Sequence, residues 1–133
     1  MEVLLTVWGE TDGIFVTGQY LNKYDGFLTS YGDIFDLASG IFTSPRKGVF
    51  EFSAAIYHNT QGANDLIVEK SNINVLGFHT TNNAGTADPL NFSWIMELQQ
   101  GDTVRLKVAD DGTFTAYSYA NWAFNGKFIR NTI

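Results

Sequence analysis

His58 and His79 are the only imidazoles in this chain of 133 residues, and general acid–base chemistry would have to start from one of them. Neither has a carboxylate or a nucleophile motif beside it in the sequence, so both read as ordinary strand-end or loop residues. Adjacent carboxylates occur at Asp110 and Asp111, a pairing that acid and base work would use. Turn geometry alone explains Asp111-Gly112, because both residues tolerate the positive φ of a two-residue hairpin loop. The chain has no Gly-x-Ser-x-Gly elbow, no phosphate-cradling loop and no His-Glu-x-x-His pair. It also has no cysteine, which removes thiol nucleophiles, zinc–thiolate sites and disulfides together. These residues predict a noncatalytic protein.

Binding chemistry has more to draw on. Trp8, Tyr117, Tyr119 and Trp122 are candidates for a sugar platform, since rings stack on the apolar faces of pyranosides while Asn and Asp exchange hydrogen bonds with the hydroxyls. An aromatic on a strand more often serves a core or a subunit contact, so none of the four is assigned to a ligand. Asn91-Phe92-Ser93 is an N-glycosylation sequon, meaningful for a chain that passes through a secretory pathway. It is expected at the entrance of a strand.

The elements that must position such residues are strands. Phe50, Phe52, Ala54 and Ile56 alternate with Glu51, Ser53, Ala55 and Tyr57, the period of a half-buried strand with one face toward a core. Trp94, Met96 and Leu98 share a face, Gly101-Asp102 turns the chain, and Val104, Leu106 and Val108 follow with Thr103, Arg105 and Lys107 expected in solvent. Further strands are expected over 3–8, 14–16, 66–68, 75–78, 114–119 and 122–129, with short edge strands and loops over 17–32. Residues 79–88 read as the longest loop. No 3.6-residue period occurs, so an all-β sandwich in one domain, residues 1–133, is expected.

Composition narrows the partners. The formal charge is −6, from 14 acidic and 8 basic residues, and the basic residues are scattered, which disfavours nucleic acid and anionic membrane surfaces. No apolar run approaches the roughly 20 residues of a spanning helix, so no membrane insertion is expected. The chain has 11 Phe, 6 Tyr and 3 Trp but only 2 Pro, more aromatic surface than a sandwich interior needs, and this points to association through an apolar flank. Met1-Glu2-Val3-Leu4-Leu5 lacks a basic start and a cleavage site, so no signal peptide is expected in this chain, and no Gly-x-y stalk is present.

One stretch carries a family signature. Residues 35–52 hold Phe35, Asp36, Ser39, Gly40, Phe42, Gly48, Phe50 and Phe52 at spacings that resemble the globular head of complement C1q, the family that shares its jelly roll with tumour necrosis factor. The 93–106 block, with its Gly101-Asp102 turn, and the closing Phe124-Asn125-Gly126-Lys127-Phe128-Ile129 resemble the same family. Ser30 departs from it, standing five residues before Phe35 where the family usually has Asn. The resemblance implies a jelly-roll sandwich of about ten antiparallel strands. It further implies a noncatalytic homotrimer outside the cell that binds a protein or glycan ligand, in lectin-like innate recognition or in receptor signalling. Several members bind calcium near the threefold axis, and counting back from Ser93 makes Asp88 a candidate calcium ligand, with Thr80 at the partner position. A structural knob that registers a fibre, spore or virus appendage is the alternative.

Overall fold

The computed structural model describes residues 3–9, 13–16, 20–21, 24–30, 34–59, 62–82, 88–108, 113–116 and 122–132. Their strands, in chain order, are β1 (Leu4–Gly9), β2 (Gly13–Val16), β3 (Gly26–Ser30), β4 (Phe35–Asp36), β5 (Ile41–Thr43), β6 (Gly48–Asn59), β7 (Gly62–Lys70), β8 (Ile73–Asn82), β9 (Asp88–Leu98), β10 (Thr103–Val108), β11 (Thr113–Ala116) and β12 (Trp122–Arg130). One sheet of seven runs β2-β11-β6-β12-β1-β3, with β9 on the other edge of β6; the second sheet, of five, runs β4-β5-β10-β7-β8. Among the described residues there are twelve strands, including two very short ones, β4 and β5, on either side of the turn at Gly40. Among the described residues there is no helix.

Alternation builds the interior as the sequence predicts. Phe50 and Phe52 are fully buried, Ala54 and Ile56 nearly so, and the intervening residues of β6 face outward. The rings are ordered: Phe92 stacks on Trp94 at 5.7 Å, Trp94 on Phe52 at 5.5 Å, and Phe42 meets Phe52 edge-on at 5.1 Å. Burying one such side chain contributes about 1.5–3 kcal/mol, and a well-oriented ring pair about 0.5–1.5 kcal/mol more.

Turns explain several signature residues. The Asp36 carboxylate accepts hydrogen bonds from the Ala38 amide and the Ser39 hydroxyl, both at 3.0 Å, and Gly40 closes the turn at φ +73°. Buried Ser44 ties two turns together: its amide donates to Asp102 O at 2.8 Å, and its carbonyl accepts the Gly101 amide at 2.9 Å. Gly48 is required by close approach. A Cβ there would lie 2.9 Å from the Arg130 carbonyl oxygen and collide with the Phe128 ring. Gly48→Ala is therefore expected to destabilise the fold by about 1–3 kcal/mol, read as a lower denaturant midpoint with unchanged slope.

Three expectations are corrected. The strand read at 75–78 extends to Asn82 in β8, because β7 continues alongside it and pairs Thr80 with Asn64 and Thr81 with Ala63. Only residues 83–87 of the presumed loop fall outside the described residues. Asn91 is well inside β9, paired with Ala55, rather than at a strand entrance. Arg105 and Lys107 are not simply solvated; they hold Glu69, as described below. The hairpin at Ser71-Asn72 carries no Gly signal, yet both residues take positive φ, +46° and +69°, the geometry a two-residue loop between twisted strands requires.

Candidate interaction surface

The outward face of the seven-stranded sheet is assembled by register. Thr6 stands beside Asn125, Asn125 beside Ser53, and Ser53 beside Ser93, giving one polar row across β1, β12, β6 and β9. The row is hydrogen-bonded: Thr6 Oγ1 donates to Asn125 Oδ1 at 2.7 Å, and Asn125 Nδ2 donates to Ser53 Oγ at 3.1 Å. The next row reads Leu4, Lys127, Glu51 and Ile95, with Lys127 and Glu51 paired at 3.3 Å. Both partners of that pair are largely exposed, so it contributes less than about 1 kcal/mol and chiefly fixes the pattern of the face. Short side chains leave two shallow depressions on either side of Asn125, of about 280 and 320 Å³.

Apolar side chains lie at the two flanks of the sandwich. On the β8–β9 flank Ile73 is 66% exposed and Ile95 62%, with Val75 and Leu76 also uncovered. On the opposite flank, along β3 and the neighbouring β1, Leu28 is 74% exposed and Phe27 and Leu4 are partly uncovered. Phe27 borders an open cleft of about 850 Å³ whose walls include Ile34, Phe35, Leu37 and Ile41. Exposed large apolar side chains thus occur along both edges of the sandwich, with Ile129 of β12 a further one between them.

The outer surface of the second sheet carries a charge cluster. Glu69 in β7 is nearly buried and faces Arg105 in β10, whose Nε lies 3.1 Å from Oε1, while Lys107 Nζ lies 3.1 Å from Oε2. The Tyr20 hydroxyl donates to the same carboxylate at 3.2–3.3 Å, and the Arg105 guanidinium lies 3.4 Å from the Tyr20 ring centroid. Burial pushes the Glu69 carboxyl up, but hydrogen bonds from Lys107 and Arg105, together with their charges, outweigh it and hold the group below the ordinary value of 4.5. The cluster fastens Tyr20 and Leu21 along β10, where the Leu21 amide donates to Leu106 O at 2.9 Å.

The residues singled out in the sequence scatter over this frame. Strand register places Asp88 opposite His58 and Asp65 opposite His79, so each imidazole-bearing residue has a carboxylate-bearing neighbour across the ladder that linear spacing did not reveal. The side chains of these four lie outside the described residues. Asp88 and Thr80 belong to different sheets on the same flank. One carboxylate and one hydroxyl are fewer than the six to eight oxygens calcium takes, which carbonyls, water or threefold repetition would have to complete. Among the described residues no group of three or more His, Asp or Glu side chains is placed to hold a metal ion. Trp8 is half-buried with its indole laid over Gly26, close enough that a Cβ there would be 3.3 Å from it. Trp122 pairs with Gly9 by backbone, its side chain outside the described residues, as are Tyr117, Tyr119, Asp110, Asp111 and Gly112 altogether. Sequence reasoning missed Glu69; the alternating Thr103, Arg105 and Lys107 were the available signal, since two cations flanking a strand position call for an anion opposite.

A two-sheet antiparallel sandwich with β6 between β9 and β12, and β10 between β5 and β7, is a jelly roll. The C1q domain pattern matches residues 13–129, and the chain belongs to the C1q domain family. Among solved structures it is similar to the globular domain of zebrafish complement 1qA, with TM-score 0.77 and 19% identity over 98% of this chain and 99% of that one. It is also similar to the Eiger TNF of S. frugiperda, with TM-score 0.82 and 7% identity over 99% and 95% of the two chains. Murine APRIL gives TM-score 0.73 and 10% identity over 97% and 100%. At such identities what is shared is the fold. Comparison with curated proteins finds no match in sequence. No helix among the described residues is long and apolar enough to cross a membrane.

Proposed function

We propose that this C1q-family domain is a noncatalytic recognition module that works outside the cell as a ring of three copies, binding a protein or glycan through repeated weak sites. The observation that supports the ring is the pair of apolar flanks. They are different surfaces on opposite edges of the sandwich, so contact between copies is heterologous, and a heterologous contact closes only as a ring. Ile95 on one flank and Leu4 on the other occupy the same cross-strand row, so rotation about an axis along the strands brings them level. Three weak sites on one body suit a repetitive surface, because after the first contact the others become intramolecular. Innate recognition of glycans and receptor engagement both use that physics.

Sedimentation of the unglycosylated chain, purified from a bacterial host, at micromolar concentration tests the ring: a mass of three chains is expected, and a single-chain mass overturns it. A glycan array on the ring then separates ligand classes. Binding to defined sugars supports the lectin-like reading, and a silent array moves the proposal to protein ligands or to the structural knob. Within the ring, three copies of Asp88 are the proposed calcium ligands. Calcium is expected to raise the melting temperature and Asp88→Asn to abolish the rise; an unchanged melting temperature on chelation removes Asp88 from the ligand set.

A further inference from the structure

We propose that Asn91 is an N-glycan acceptor whose occupancy decides whether the chain closes into a ring or remains a single copy; the second half of this proposal rests on the ring reading above. Asn91 and Ser93, the two residues of the sequon that a glycosyltransferase reads, are both exposed, while Phe92 between them is buried in the core. Strand alternation therefore presents amide and hydroxyl on the same outward face. Their cross-strand neighbours are Ala55 and Ser53, and the floor between them is the depression of about 320 Å³ bordered by Asn125. In a single copy the described side chains bordering this floor on its outward side, Ser53, Ala55 and Asn125, are short, so it leaves room for a sugar on a folded chain.

The same outward face carries Ile95, four residues along β9 and roughly 13 Å away at the rise of a strand. A branched, hydrated oligosaccharide rooted at Asn91 covers that distance, and a contact built on Ile95 cannot dehydrate beneath it. Glycan and neighbouring copy are therefore alternatives. The choice is made during synthesis, before β9 pairs with β6, when the extended chain meets the transferase. Asn91 Nδ2 forms a bond to the anomeric carbon of a lipid-diphosphate-linked oligosaccharide; the anomeric C–O bond breaks, the lipid diphosphate leaves with the electron pair, and the amide gives up one proton. Incomplete occupancy would divide one gene product into assembling and non-assembling pools.

The test is secretion of the full chain from a glycosylating eukaryotic host behind a supplied leader, with peptide mass mapping of Asn91 and sedimentation of each glycoform. The glycosylated chain is expected to run as a single copy. Ser93→Ala, which removes the sequon and keeps Asn91, is expected to carry no glycan and to sediment at roughly threefold higher mass. Asn91→Gln is the second variant, and circular dichroism checks that each chain is folded. An unmodified Asn91 in the secreted parent overturns the acceptor assignment. A glycan found on a three-copy ring overturns its control of assembly. If Ser93→Ala and Asn91→Gln are folded, unmodified and single, the ring reading itself fails and so does control of assembly, while the acceptor assignment is judged by the parent's mass map alone.

Discussion

Ile95→Lys is expected to sediment as one folded copy under conditions in which the parent chain sediments as three. In the single copy Ile95 is 62% exposed, so the substitution leaves the core untouched, and the melting curve of the isolated domain should move by less than about 0.5 kcal/mol. In the proposed ring the same position meets the opposite flank of a neighbour at the apolar side chains of Leu4, Phe27 and Leu28, where the nearby carboxylates Glu51 and Asp36 are already engaged, by Lys127 and by the turn at Ala38 and Ser39. An ammonium pressed against them must be desolvated without a partner, which costs several kcal/mol per contact, on the order of 3–5 kcal/mol. A ring of three repeats that cost at every contact. At about 1.4 kcal/mol per tenfold change, even one such contact weakens association by a factor of a hundred or more. Leu28→Lys, on the other flank, should give the same result. A three-copy mass for both variants would mean that these flanks are not the contact.

Glu69→Gln is expected to lower stability by about 2–4 kcal/mol, because it leaves Arg105 and Lys107 held around a position that no longer carries charge. The pH dependence gives a second reading. The folded Glu69 carboxyl titrates below its ordinary value of 4.5, so its stabilisation is fully present above that value and is lost as the pH falls through the depressed folded value. Urea midpoints of the parent should therefore decline as the pH is lowered below about 4.5, and Glu69→Gln should show a shallower decline in that window. Parallel curves for the two chains would remove Glu69 from the acid response. Tyr20 and Leu21 should be the first segment released, visible as faster amide exchange at Leu21, whose hydrogen bond to Leu106 lies beside the cluster.

How far the sequence reached depends on what each position answers to. Residues that answer to burial were legible: Phe50, Phe52, Val104 and Leu106 announce their face by period alone, because an aqueous surface does not tolerate a run of such side chains and a pleated strand reverses direction at each step. Residues that answer to a partner distant in the chain were not. Arg105 looks like a solvated charge until β7 is laid beside it, 36 residues away, and Glu69 looks the same from its own side. Nor does Ser71-Asn72 look like a hairpin, since Asn takes the left-handed conformation without the Gly that usually marks it. The candidate surface belongs to this second kind. Leu4 and Ile95 are unremarkable until register sets them in one row, and neither residue carries that register in its own neighbourhood.

The pairing of β1 with β12 has a consequence for how such a domain is mounted. Val3 O accepts the Phe128 amide at 3.0 Å and Arg130 pairs with Val49, so the first and last described segments both lie beside the Gly48 end of β6. Asp88 and His58 lie at the opposite end of the same strand ladder. The described sandwich thus has two unlike poles, and three copies closed as proposed around an axis along the strands would share that polarity. Cargo, stalk or label fused to either terminus would emerge as a bundle on one side, while the far side stays clear for whatever the ring meets.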